Sequence, residues 1–390
     1  MDGLNKSIYE IGSDTAFSIL ARSNELISLG KPVINLGIGQ PDFPTPPNIM
    51  EAARKSLKDG YHGYTPSSGI KELREAVSNF YANSHRDIKI DPNQILITPG
   101  AKAVIFYTLL MFGQPGTEVI IPDPGFIAYK SMVDYTGATA VSLPHRMENE
   151  FSFDADELLS LITPRTKLII FNSPGNPTGG VVPEKQFKKL VAGLARHPNV
   201  FVLSDEIYDR IIFGNKEHIS LLSYPEIKEQ IILLNGWSKT YSMTGWRLGF
   251  GIYPKSIYSY AEKLAINCHS CVNVVSQYAG IEALNGTQKY VNEMILEFQK
   301  RKDFIVKKLN KIENIECVDP GGAFYVFPRV RKNGLSSKNI SKYLLEDYNL
   351  ATVPGSSFGQ NGEGFLRISY ASSMENLDKA CKILLKFMND

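Results

Sequence analysis

Between residues 49 and 286, short apolar, β-rich runs alternate with stretches whose apolar positions recur every three to four residues, the pattern of strands separated by helices. The runs at 94–98, 118–121, 167–171, 200–204, 231–234 and 248–252 predict strands. The stretches at 101–111, 126–135 and 184–195 predict helices, each entered through a turn marked by Gly or Pro. Such alternation predicts an α/β domain, a mostly parallel sheet with helices over both faces. After Gly286 the pattern changes to a long charged helix at 288–311, a β-rich stretch, and a terminal helix at 375–388. That order predicts a smaller α+β domain, joined by the N-terminal arm. The expected division is therefore 1–48 for the arm and part of the small domain, 49–286 for the large domain and 287–390 for the C-terminal small domain. Open α/β sheets bind ligands beyond the carboxyl ends of their strands, so chemistry is expected just after those runs.

A length of 390 residues supports two cores, and 43% apolar with 21% charged residues is ordinary for a folded globular chain. Forty-two Lys and Arg face forty Asp and Glu, with no run of five like charges, which argues against nucleic acid or a membrane surface as partner. Four cysteines (Cys268, Cys271, Cys317, Cys381) are too few for a disulfide framework and suit a reducing compartment. The first ten residues carry Asp2 and Glu10 and no apolar core, and the longest apolar stretch, 103–112, is far short of a membrane span. A cytoplasmic location is expected. Cys268 and Cys271 resemble half a zinc site, but no second Cys or His pair at ligand spacing accompanies them, so no metal is expected. They are expected on a helix lining a subunit contact.

The run from Asn235 to Gly249 reads NGWSKTYSMTGWRLG and follows a predicted strand, placing Ser238, Lys239 and Arg247 within ten positions. A lysine amine is a weak nucleophile while protonated, but desolvation and nearby cations lower its pKa, and it then forms an imine with a carbonyl. Arg247 offers a planar fork suited to phosphate, and Ser238 a small donor beside the lysine. Each residue alone reads as an ordinary solvated loop side chain; their spacing reverses that.

This run resembles the signature of fold-type I pyridoxal-phosphate enzymes, specifically the class I and II aminotransferases of the aspartate and aromatic type. The likeness extends from NLGIGQPDF at 35–43 to GFLRIS at 364–369. It implies a mostly parallel sheet of the seven-stranded type, pyridoxal 5′-phosphate held as a Schiff base on Lys239, and a homodimer with shared active sites. In SPGNPTG at 173–179, a Pro-Gly-Asn turn on its own terms, the resemblance makes Asn176 a donor to the cofactor's phenolic oxygen and a neighbour of the substrate. In LSDEIY at 203–208, a carboxylate keeps the pyridine nitrogen protonated so that the ring accepts electrons. Asp205 is chosen over Glu206 for that place, with Tyr208 on the phenolic oxygen.

PGAK at 99–102 opens a helix whose first amides suit a phosphate. Gly100, Ala101 and Lys102 are assigned there, although relatives often carry Ser or Thr where Ala101 stands, and the part played by Lys102 stays open. Phe126 matches the aromatic stacked on the ring. Tyr64 resembles the tyrosine that reaches the phosphate in the neighbouring subunit. Arg367 resembles the arginine that grips the substrate carboxylate, assisted by the Gly39 N–H, and Phe17 belongs to an arm expected to fold over the substrate side chain.

The function implied is transfer of an amino group from an L-amino acid to a 2-oxo acid of the 2-oxoglutarate, oxaloacetate or pyruvate type, in two half-reactions. Lys239 serves as both anchor and general base. Two rivals share the motifs. A carbon–sulfur β-lyase on the same fold differs only in what leaves the substrate. A cofactor-sensing regulatory domain would need a DNA-binding partner domain, for which no room is expected ahead of Asn35.

Overall fold

The computed structural model describes residues 3–12, 15–84 and 88–390; the first two residues of the N-terminal arm lie outside them. Seven strands form the main sheet: β1 Ile95–Thr98, β2 Glu118–Asp123, β3 Thr139–Pro144, β4 Thr166–Asn172, β5 Phe201–Asp205, β6 Ile231–Gly236 and β7 Gly249–Ile252, in the order β1-β7-β6-β5-β4-β2-β3. All pairings are parallel except those of β7, which runs against both β6 and β1. Six strands therefore point one way, and their carboxyl ends share one rim with the beginning of β7.

Strand alternation divides the core. Leu168, Ile170, Leu203, Ile232 and Leu234 pack on one face, and Ile169, Phe171, Val202 and Leu233 pack on the other. Burial of both faces explains the near-continuous apolar runs in these strands. The six predicted strands are present, and β3 is a seventh that the apolar pattern does not predict. It is the sheet's outer strand, and exposed Thr139 and Ser142 and half-buried Ala140 and Val141 leave it without an apolar run. The long and terminal helices appear as Lys289–Leu309 and Met374–Asn389, within two residues of expectation. Ser373 caps the latter by accepting the Asn376 N–H at 3.2 Å.

The C-terminal third builds a small three-stranded sheet in which Leu366–Ser369 lies between Tyr325–Val326 and Val353–Pro354, antiparallel to both. Ile34–Asn35 pairs in parallel with Leu350–Ala351, which ties the N-terminal segment to this part of the molecule. Beyond that strand, residues 36–45 form a strap whose far half is anchored by Asp42 and Thr45. Asp42 accepts from Arg301 at 2.7 Å, and Thr45 Oγ1 donates to the Ser242 carbonyl at 2.8 Å. Among the described residues, no helix is long and apolar enough to cross a membrane.

Phe298 is fully buried among Phe43, Phe324 and Tyr370 at ring separations of 5.5, 5.4 and 6.3 Å. Truncation to Ala leaves a cavity that these rings cannot close. Phe298→Ala is expected to cost about 3–5 kcal/mol, read as a lowered denaturation midpoint; a loss under about 1 kcal/mol would show that the rings repack.

Candidate active site

The sheet's rim brings distant segments together. β1 ends at Thr98 and leads into Gly100, Ala101 and Lys102; β4 ends at Asn172 ahead of Asn176; β5 ends at Asp205 ahead of Tyr208; β6 ends at Gly236 ahead of Ser238 and Lys239. The reversed β7 begins at Gly249, so Arg247 reaches the same rim from the opposite direction. Ala101, Lys102, Asn172, Asn176, Asp205, Tyr208, Ser238, Lys239 and Arg247 line one cavity of about 500 Å³, together with Phe17, Gly39, Phe126 and Arg367. Of the residues singled out from the sequence, Gly100 and Tyr64 are not among its lining. Gly100 lies directly beneath, since a Cβ on it would come 2.2 Å from the Arg247 guanidinium. Tyr64 is 93% exposed.

Backbone conformation explains part of the convergence. Gly100 has φ +86°, a left-handed value that turns the chain from β1 into the helix Lys102–Phe112. A Cβ on Gly249 would lie 2.3 Å from the Ala101 nitrogen, so β7 passes under that turn only with glycine there. Arg247 itself sits at φ +53°, and its guanidinium donates to the Thr244 carbonyl at 2.7 Å.

Lys239 donates from Nζ to the Gly39 carbonyl at 2.7 Å. Burial, then the positive charges of Arg367, Arg247 and Lys102, lower its pKa to about 8, with Asp205 opposing. Part of the side chain remains open to the cavity, yet it lies too deep to be solvated as a surface lysine is. Asp205 is buried, which pushes its carboxyl up to about 6 against the bonds that favour the charged form. Those bonds come from the Tyr129 hydroxyl at 2.6 Å and the Ile207 N–H at 3.1 Å. Glu206 turns away from the cavity, accepting from Ser204 at 2.9 Å and Ser220 at 3.0 Å and lying 2.9 Å from His218 Nε2.

Arg367 is buried, with one terminal nitrogen donating to Asn176 Oδ1 at 2.9 Å and the other to the Gly37 carbonyl. Its Nε has no partner among the described residues. The guanidinium lies 4.7 Å from the Tyr325 ring centre and 5.0 Å from that of Phe358. An unpaired buried N–H on a cation is costly, and an anion entering the cavity relieves it. The Gly39 N–H was expected to face the substrate; what the hydrogen-bond pattern adds is the engagement of the Gly39 carbonyl by Lys239. Lys102 places its ammonium 5.2 Å from the Phe126 ring centre.

Sequence reasoning missed Asn172, Tyr129 and Tyr325. Asn172 Nδ2 donates to the Asp205 carbonyl at 2.9 Å and its Oδ1 accepts the Asn176 N–H at 2.7 Å, locking two of the predicted turns together. Tyr129 stood within the block that contains Phe126, where its spacing gave a signal; Tyr325 carried none. Cys268 lies near the end of the helix Lys255–His269 and Cys271 just beyond it, both distant in sequence from any cavity residue. All four cysteines are free thiols.

The cavity suits pyridoxal phosphate by its donor set. An amine of lowered basicity and a buried carboxylate line the same space, an aromatic ring stands at the wall, and cations gather with a helix start where a phosphate would be held. Comparisons with known proteins agree. Residues 31–384 match the family described as aminotransferase class I and II. An aspartate aminotransferase of Pyrococcus horikoshii is 42% identical over 355 residues, 89% of this chain and 88% of that protein. Aromatic-amino-acid aminotransferase 2 of Thermococcus litoralis is 39% identical over 361 residues, 92% of each. The structure of Thermus thermophilus aspartate aminotransferase with maleate shares 30% identity and a TM-score of 0.94, covering 99% of this chain and 100% of that one. The protein is thus a transferase of the fold-type I pyridoxal-phosphate class. It belongs to the class I and II aminotransferase family and catalyses pyridoxal-phosphate-dependent transamination.

With its pKa lowered to about 8, the Lys239 amine is expected to react with an acylating reagent in the cofactor-free protein with a midpoint near pH 8. Mass-spectrometric labelling across pH 6–11 reads this; a midpoint above about 10 would show an ordinary surface lysine.

Proposed function

We propose that the protein moves the amino group of an L-amino acid to a 2-oxo acid with Lys239 as cofactor anchor and proton carrier. The observation that carries this reading is the lowered basicity of Lys239 in the same cavity as buried Asp205. When bound, pyridoxal phosphate supplies an aldehyde that takes up an amine and a cationic ring that accepts the electrons of a C–H bond. Asp205, steadied by Tyr129, would be the residue that keeps the ring nitrogen protonated. Asn176 and Tyr208 donate to the phenolic oxygen, and Phe126 covers the ring. The amides at Ala101 and Lys102, with Ser238 and Arg247, would hold the phosphate, while the Gly100 N–H, assigned to it from the sequence, donates instead to the Thr98 carbonyl at 2.7 Å.

Arg367 grips the substrate carboxylate, helped by Asn176 and the Gly39 N–H, and orients the α-carbon toward Lys239. The lysine amine, its pKa lowered to about 8, would take the proton from the substrate's α-carbon and hold it within the cavity. Phe17, at the cavity mouth, meets the substrate side chain. The named activities of the Pyrococcus and Thermococcus relatives support aspartate and aromatic donors as the first to assay.

The working unit is a homodimer in which Tyr64, 93% exposed in the single chain, reaches the partner's phosphate site. Residues 49–286 form the cofactor-binding domain, and 1–48 with 287–390 form the smaller one, supported by the pairing of Ile34–Asn35 with Leu350–Ala351. Four free thiols support a cytoplasmic location.

Lys239→Ala is expected to bring transamination to background while leaving the thermal midpoint within a few degrees, about the span of a benign change. Retained turnover would end the assignment, and release of ammonia in place of a 2-oxo acid would favour the β-lyase. Co-expressed Lys239→Ala and Tyr64→Ala subunits test the shared site. A mixed dimer then holds one site with both residues intact and is expected to recover about half the wild-type rate. Failure to exceed the Tyr64→Ala dimer would place Tyr64 outside the partner's site.

A further inference from the structure

Tyr325 is fully buried and lines the cavity. It lies in the short strand Tyr325–Val326, opposite Ser369, which brings it beside Arg367 on the neighbouring strand. Its hydroxyl is 2.8 Å from that of Tyr208. Its ring lies 4.7 Å from the Arg367 guanidinium carbon. A Cβ on Gly39 would come 2.2 Å from the hydroxyl, so the strap whose carbonyl accepts from Lys239 rests against this side chain. One tyrosine thus touches the residue assigned to the phenolic oxygen, the residue assigned to the substrate carboxylate, and the segment that holds the lysine.

We propose that Tyr325 is a positioning residue with two separable parts, its hydroxyl setting the donor strength of Tyr208 and its ring seating Arg367. The proposal rests on the roles given above to Tyr208 and Arg367. A tyrosine hydroxyl has one proton. Once Tyr208 spends its proton on the phenolic oxygen, its own oxygen only accepts, and the hydroxyl at 2.8 Å is placed to give. A hydroxyl that accepts one hydrogen bond donates a stronger one. The strengthened donor draws negative charge from the phenolic oxygen, which lowers the pH at which the proton shared with the Lys239 linkage leaves.

The titratable and charged groups around the Tyr208 hydroxyl are Asp205 on its own turn, Tyr129, Lys239, Tyr325 and Arg367. Of these, Tyr325 is the one hydrogen-bonded to that hydroxyl. The ring acts differently, since a guanidinium held over an aromatic face keeps its plane fixed without using its N–H groups. Arg367 therefore meets a carboxylate with its fork already oriented.

The experiment uses the full-length holoenzyme and follows the visible absorbance of the bound cofactor against pH, with maleate as an unreactive carboxylate probe. Tyr325→Phe removes the hydroxyl and keeps the ring. It is expected to raise the pH midpoint by roughly 0.5 to 1 unit, the size of one lost hydrogen bond at a neighbouring group. Maleate affinity is expected to stay unchanged. In a Tyr208→Phe background the same change is expected to add nothing, because the path to the cofactor is already cut. Tyr325→Leu removes the ring as well and is expected to weaken maleate roughly threefold to thirtyfold.

A Tyr325→Phe midpoint within about 0.2 unit of wild type, or an equal shift in the Tyr208→Phe background, overturns the hydroxyl's part. Unchanged maleate affinity in a folded Tyr325→Leu protein overturns the ring's part. If that variant does not fold, weakened maleate binding in Tyr325→Phe, where the ring remains, overturns it instead. Wild-type protein that takes up no pyridoxal phosphate overturns the functional reading itself, whereas a wild type that titrates beside an unmoved Tyr325→Phe overturns this proposal alone.

Discussion

The site depends on keeping a cationic side chain inside the protein at a cost. Lys239 is held among Arg367, Arg247 and Lys102, and burial and like charge both push it toward the neutral amine. Burial pushes Asp205 the other way in charge, toward the neutral acid, with the Lys239 charge and two hydrogen bonds opposing. Each is strained in a direction that a bound cofactor relieves, because a ring nitrogen with its proton compensates the carboxylate and a bond to carbon uses the free amine. The bonds from Tyr129 and Ile207 fix the carboxylate, and the Gly39 carbonyl fixes the amine. Orientation is thus set before any ligand arrives, which is where much of the advantage of a folded catalyst lies.

The sheet makes this arrangement possible by geometry alone. Parallel strands deliver their carboxyl ends to one rim, so residues that are far apart in sequence, such as Lys102, Asn176, Asp205 and Lys239, become neighbours without a long excursion of the chain. The strap at 36–45 adds carbonyls to the site from the N-terminal side, and the small three-stranded sheet adds Arg367 and Tyr325 from the C-terminal side. Both contributions come from segments fastened to each other by the pairing of Ile34–Asn35 with Leu350–Ala351.

Much of this was legible in the chain because the main strands carry their own apolar signal and the site residues come after them at fixed offsets. Ser238, Lys239 and Arg247 announced themselves through spacing; position after apolar runs drew attention to Asp205 and Asn176, and family likeness gave them their roles. The hidden part depended on partners remote in sequence. Nothing near Tyr325 tells that its hydroxyl will meet Tyr208, 117 positions away. The strand β3 was silent because an outer strand with exposed Thr139 and Ser142 lacks the apolar density by which a buried one is recognised. Tyr64 was singled out through family likeness alone, since its exposure gives a single chain no reason to retain it there.

The reversed direction of β7 reaches further than the placement of Arg247. In five of the six strands that run together, all but the outer β3, the residues just past the strand's last position line the site, and the opening positions are insulated from it by the length of the strand. In β7 the polarity is inverted. Its opening residue, Gly249, touches the Gly100–Ala101 turn, while its far end at Ile252 lies beside the opening of β1 at Ile95. Tolerance to substitution should therefore grade in opposite directions along neighbouring strands, so that a map of permissive positions on this sheet would show one column running upside down.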